Sequence, residues 1–336
     1  MRAESRMKSS RRLRQIALFL CAAIGLGMAA EGRAATTASG KSARHRSSVR
    51  SSTAHRTAKK HPPARRRRRQ VTLRLPEVTP YGIPRLHVKA AYVEDASGQV
   101  LFQKNPERVY SIASLTKLIS AMVLLDTSPD WDRVVEIIPE DVRNSSRSHI
   151  RSREQIRVRD LFHASLMSSD NVATKALART CGLDAHEFVR RMNVKADSLG
   201  LTGAHFVEPT GLDEQNVATA QAVAKLLKAA AGNEAVSTIM QKEQYTFVSN
   251  RKMHLLINTN RLLRSKWRVT AGKTGFIRES GYCLATNIQA PTGTEITAVL
   301  LGAPSNALRF AEARRILDWT FRFALHRDLD PAVENQ

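Results

Sequence analysis

Acid is almost missing from the first 70 residues, which hold 19 Lys and Arg against 2 Asp and Glu. The rest of the chain holds 34 against 28. The formal net charge of +23 over 336 residues is therefore carried mainly by a basic arm on a nearly balanced globular body. Cysteine is scarce. Of three, Cys21 lies in an apolar leader, which leaves Cys181 and Cys283 in the body. Two cysteines exclude a disulfide-built scaffold. They can pair in an oxidising compartment, or each can rest as a buried thiol among its apolar neighbours, and both readings stay open. Internal repeats are absent, which excludes a solenoid. No convincing Ser-His-Asp arrangement appears among the ten histidines, six of which lie in the body. No metal or other cofactor is expected.

Residues 1–34 read as an export signal. Arg2, Arg6, Lys8, Arg11, Arg12 and Arg14 precede the apolar run "IALFLCAAIGLGMAA", Ile16 to Ala30. That run is shorter than the ~20 residues a spanning helix needs. "GRA" before Ala35 offers small residues at −3 and −1 of a cleavage site. The alternative is an uncleaved inner-membrane anchor through residues 16–30. Either way the body lies outside the inner membrane, in the periplasm. Cys21 lacks the preceding small residues of a lipoprotein site. Arg14 and Gln15 stand where a twin-arginine signal wants an apolar pair.

Residues 35–85 form a basic arm and linker. From 35 to 70 there is no acid and no apolar periodicity, and the stretch ends in five consecutive arginines, Arg65 to Arg69. Such a segment buries too little surface to offset its ordering entropy and is expected to be disordered. It serves as a self-repelling spacer or as a contact for an anionic surface such as lipid head groups or wall polymers. Nucleic acid is not expected as a partner of an exported chain.

The body is expected over 86–325, with a tail at 326–336. "LHVKAAYVEDASGQVLFQKN" predicts a hairpin around Asp95 to Gly98. "SIASLTKLISAMVLL" predicts a buried helix. Alternation around Ile150, Ile156 and Val158 suggests a second, small hairpin. Helical patterns follow: "DLFHASLMSS", "NVATKALART", a helix with Asp184 as N-cap and Glu187 as its capping-box partner, and Thr219 to Gly232. After Trp267 three β-rich runs precede a closing helix from about Asn306 to Ala324. The order predicts an α+β fold: an antiparallel sheet joining the N-terminal hairpin to the C-terminal strands, flanked by helices with an all-helical lobe.

Three short motifs carry chemistry. Ser114-x-x-Lys117 opens the buried helix, Ser169-Asp170-Asn171 breaks two helical runs, and Lys273-Thr274-Gly275 lies in a strand-like run. A serine hydroxyl needs a base. Spacing of three on a helix puts Lys117 within reach of Ser114, and burial lowers a lysine's pKa. Lys273, brought near, would push the same way. The Ser114 backbone N–H and one from Phe276 are candidate oxyanion donors. Gly275 would let substrate approach the strand. Ser169 can pass a proton between Lys117 and a leaving amine, Asn171 can hold Lys117 or a substrate amide, and Lys273 and Thr274 suit a carboxylate. Spacing alone is weak, since Ser249 to Lys252 repeats it in a polar stretch with no helix behind it.

Together with "VKADSLGLTGAHFVEPTGL", "NTNRLL" and "GKTGFIRESGYCLA", these motifs resemble the serine D-alanyl-D-alanine peptidases, the low-molecular-mass penicillin-binding proteins. The similarity is greatest to the D-alanyl-D-alanine endopeptidases of the Gram-negative periplasm. The resemblance implies a β-lactamase/transpeptidase-like fold, Ser114 as acylated nucleophile and Lys117 as base. It implies peptidoglycan peptide stems as substrate and β-lactam antibiotics as covalent inhibitors. The chain ending soon after the closing helix favours the endopeptidase over the longer carboxypeptidases. Glu208 lies where a β-lactamase keeps its deacylating glutamate, but Leu212 replaces the asparagine expected four residues on, so fast β-lactam hydrolysis is not expected.

Overall fold

The computed structural model describes residues 82–145, 148–290, 293–323 and 325. The expected signal, nearly all of the arm and linker, and the C-terminal tail lie outside the described residues. The chain divides into two units, Met1–Gln70 and Val71–Gln336, and the fold is that of the second.

The predicted hairpin forms β1 (Ala90–Asp95) and β2 (Val100–Lys104), turned where Asp95 Oδ1 accepts from the Ser97 and Gln99 amides. A two-residue β3 (Tyr110–Ser111) leads into a 3-10 turn (Ala113–Thr116) and α1 (Lys117–Asp126). The lobe continues through β4 (Val134–Glu136), α2 (Pro139–Val142), β5 (Gln155–Arg157), α3 (Val158–Met167), α4 (Asn171–Thr180) and α5 (Ala185–Ser198). Then come β6 (Val217–Ala218), α6 (Ala220–Ala231), α7 (Glu234–Gln241), β7 (Gln244–Val248) and β8 (Met253–Ile257). A second 3-10 turn (Arg261–Arg264) precedes β9 (Arg268–Ile277), β10 (Gly281–Gln289), β11 (Glu295–Ala303) and α8 (Asn306–Arg322).

The main sheet has the order β2-β1-β11-β10-β9, antiparallel throughout, as the run order implied. Its central strands are apolar on both faces because both faces are covered. Ala90, Tyr92, Val299 and Leu301 join the core of the helical lobe. Ala91, Val93, Ala298 and Leu300 pack against Phe310, Ile316 and Leu317 of α8. The period-2 rule sends alternate residues to opposite layers. Strand β9 is the edge, beside the 3-10 turn that carries Ser114.

Two local expectations are corrected. The small hairpin pairs β4 with β5. Ile150 is buried but lies in no strand, and Val158 opens α3. Asp184 caps α5 by accepting from the Glu187 amide, but the Glu187 carboxylate pairs with Arg190 and Arg191 instead of closing a capping box. The second Ser-x-x-Lys is the turn of the β7–β8 hairpin, where the Ser249 amide donates to the Lys252 carbonyl. Both Cys181 and Cys283 are free. No helix of the described residues is long and apolar enough to cross a membrane.

Candidate active site

Helix α1 packs among α3, α4, α5 and α6. A helix so placed buries nearly every side chain, and Lys117 at its first position is 0% exposed. Ala113, ahead of Ser114, holds a left-handed φ of 47°. That conformation is costly for a residue with a Cβ. Here it starts the 3-10 turn and leaves Ser114 half-buried at a surface cleft. Helix α1 begins at Lys117, so Ser114 belongs to the turn before it and not to the first turn of the α-helix itself.

The Lys117 amine has three neighbours. Ser114 Oγ lies at 3.0 Å, Asn171 Oδ1 at 2.5 Å and the Thr210 carbonyl oxygen at 2.6 Å. An amide oxygen and a carbonyl oxygen can only accept. A neutral amine has two N–H donors and one lone pair, so donating to those two leaves the lone pair facing Ser114, whose hydroxyl can donate. Burial lowers Lys117 from the usual lysine range to about 7, against the opposing charges of Glu208 and Asp170. Burial first, then the charges of Lys117 and Arg309, push Lys273 well below the usual lysine range; the repulsion between the two ammonium groups is mutual, so each disfavours the other's charge.

Asn171 opens α4, and Asp170 before it caps that helix by accepting from the Ala173 amide. Ser169 sits between the two helices with a φ of 61°, a second strained non-glycine residue at the site. Its hydroxyl accepts from Lys273 Nζ at 2.7 Å. The proton path expected from Lys117 to Ser169 is thus replaced by a bond to the other lysine. Lys273 is 1% exposed and also donates to the Thr274 carbonyl. The Thr274 hydroxyl donates to Thr259 Oγ1 at 2.7 Å.

Ser114, Ser169, Asn171, Thr274, Gly275 and Phe276 line one cleft of about 630 Å³, with the two lysines beneath its floor. All eight residues singled out by motif are thereby brought to one place. Gly275 is also required by the fold itself. A Cβ there would stand 2.8 Å from the Ile112 carbonyl oxygen and 3.1 Å from the Ser114 nitrogen. What approaches the strand at this point is the turn that carries Ser114. Phe276 is 51% exposed and stacks on Tyr282 at 4.1 Å.

Sequence reasoning missed several parts. Arg309, 5% exposed on α8, donates through one nitrogen to the carbonyls of Gly275 and Cys283, each at 3.0 Å. An arginine in a helical run gives no signal of that. Thr210 supplies a backbone atom, which no side-chain pattern encodes. Glu208 is a loop staple: its carboxylate accepts from the amides of Thr210, Gly211 and Leu212 and from the side chain of Asn216. Leu212, in the place of a β-lactamase's asparagine, donates its amide to the Glu208 carboxylate and lines the cleft. No group of His, Cys, Asp and Glu among the described residues is arranged to hold a metal.

Comparison with known proteins agrees with this geometry. A D-alanyl-D-alanine endopeptidase of Pseudomonas aeruginosa is 34% identical over 238 residues, covering 68% of this chain and 76% of that protein. One from Escherichia coli is 32% identical over 235 residues, with the same shares covered. The crystal structure of a Streptomyces DD-transpeptidase superposes with a TM-score of 0.67 at 26% identity, over 71% of this chain and 98% of that one. The peptidase S11 family, described as D-alanyl-D-alanine carboxypeptidase, matches residues 83–305. With its serine and lysines held in one cleft between an antiparallel sheet edge and a helical lobe, the chain belongs to the D-alanyl-D-alanine peptidases of family S11.

Proposed function

We propose that the chain is a serine D-alanyl-D-alanine endopeptidase that hydrolyses D-alanyl cross-links in peptidoglycan. Ser114 Oγ attacks the D-alanyl carbonyl carbon while Lys117 takes its proton. The oxyanion forms against backbone N–H groups of Ser114 and Phe276. The amide C–N bond breaks, the leaving amine takes the proton that Lys117 received, which makes that base neutral again, and an ester on Ser114 remains, with Ser169 lining the cleft beside it. Water, deprotonated by the same base, hydrolyses the ester and frees the serine. Asn171 orients Lys117. Lys273 and Thr274 meet the carboxylate beside the leaving amine, and its charge favours a protonated Lys273. A β-lactam enters the same acylation step and stays bound, because its amine cannot depart. Residues 86–325 are the catalytic unit. We read the chain as exported to the periplasm by residues 1–34 and the arm at 35–70 as a contact for an anionic surface.

The observation that carries this reading is the Lys117 amine, buried and bonded so that its free valence faces Ser114 Oγ at 3.0 Å. The similarity to proteins named endopeptidases favours cross-links over terminal D-alanine. Ser114→Ala is expected to reduce labelling by fluorescent penicillin to background, and a variant that still labels would remove Ser114 from the nucleophile's role. Purified dimeric muropeptide should be cut to monomers. Release of D-alanine from pentapeptide without dimer cleavage would make the protein a carboxypeptidase instead.

A further inference from the structure

Residues 244–278 hold eight Lys and Arg and no Asp or Glu. This segment forms one wall of the catalytic cleft, and two of its arginines, Arg261 and Arg264, line it. Both lie on the second 3-10 turn. With three residues per turn, positions i and i+3 stand on the same side, so the two guanidinium groups share a face. The turn is held firmly. Asn260 caps it by accepting from the Leu262 amide, and Leu262 is fully buried beneath it. Just upstream, Thr259 accepts from the Thr274 hydroxyl and its amide donates to the Met167 carbonyl. The arginines are thus fixed on the Thr274 side of the cleft, the side of the leaving amine.

Neither arginine is used up by the fold. Among the described residues Arg261 pairs with no carboxylate, and its guanidinium carbon lies 5.9 Å from the Phe310 ring centroid. Arg264 meets Glu243 through Nε alone, at 3.2 Å in a half-exposed pair, an arrangement of little worth in water. Two like charges on one face repel, and an anion between them relieves that.

We propose that Arg261 and Arg264 form a subsite for carboxylates on the leaving peptide. The inference rests on the serine-peptidase reading and deepens it. Free D-alanine as leaving group carries one carboxylate, which the Thr274 corner takes. A cross-linked stem leaves as a longer peptide carrying further carboxylates, and only that product extends to the rim. The arginine pair therefore selects an anionic peptide over a single amino acid as the leaving group.

The test compares the unmutated full chain with Arg261→Gln/Arg264→Gln and Arg261→Glu/Arg264→Glu. Each is assayed on dimeric muropeptide, on pentapeptide and with fluorescent penicillin. The ratio of kcat/KM for dimer to that for pentapeptide is expected to fall about fivefold in the neutral variant and about tenfold or more on charge reversal. The salt dependence of dimer cleavage should flatten with it. Penicillin still labels both variants, which shows that they fold. Arg314→Glu, an exposed change on α8, is expected to leave the ratio where it was. An unchanged ratio in the double variants, or an equal change in Arg314→Glu, overturns the subsite while the catalytic reading stands. Absence of a penicilloyl adduct on Ser114 in the unmutated chain would sink both.

Discussion

The proposed mechanism rests on one atom, the Lys117 amine. To accept the Ser114 proton it must be neutral, and burial brings it to about 7. The sign follows directly: below that value the lysine is charged and has no lone pair, above it the base is present. Acylation by penicillin is therefore expected to rise with pH through about 7 and then level off, measured as a second-order rate. Asp170 holds the value up. Asp170→Asn removes a negative charge while keeping a good helix cap, so the acid limb should move to lower pH. A limb that moves to higher pH, or not at all, would mean that another group sets the profile. The placement of Lys117 and Ser114 was legible in their spacing, since three residues along a helix share a face. The count of acceptors around the amine was not, because one of them is the backbone oxygen of Thr210, 93 residues away.

Among the elements, the turn that carries Ser114 is gripped from two sides by glycines. A Cβ on Gly275 would lie 2.8 Å from the Ile112 carbonyl oxygen. Gly211 has a φ of 79°, and a Cβ there would lie 2.0 Å from the Ala113 carbonyl oxygen. Both contacts are backbone, so neither can be relieved by rotating a side chain. Gly275→Ala is expected to cost about 1–3 kcal/mol of stability and to slow penicillin acylation by pushing the turn off the strand. Chemical denaturation and a labelling time course measure the two effects, and normal labelling with lost stability would separate the glycine from the catalytic geometry. Strand, helix and lobe order could be read from pattern because periods of 2 and 3.6 are local properties. The pairing of β4 with β5 could not, since two three-residue strands lie below what alternation can distinguish.

At the scale of the whole molecule, the five-stranded sheet separates two cores. The helical lobe covers one face and builds the site, and α8 covers the other. Leu317→Ala empties part of the second core, where Leu317 is fully buried. It is expected to destabilise the fold by about 2–5 kcal/mol and to leave acylation per folded molecule unchanged. A matching loss of acylation in the folded protein would show that the α8 layer transmits to the site. Asn306 and Arg309 of that layer line the cleft, and Arg309 donates to the Gly275 carbonyl.

The amino-acid sequence by itself determined which residues could do this chemistry and the layers they belong to. Its motifs are local, and local spacing decides what a helix or strand presents on a face. Only the tertiary structure decided how those residues are wired. Ser169 bonds to Lys273 rather than Lys117, Gly275 makes room for the protein's own turn, and the Glu208 carboxylate closes a loop. Each of these is settled by which distant atoms come within about 3 Å, the range of a hydrogen bond. That distance is a property of the packed chain and not of any stretch of it.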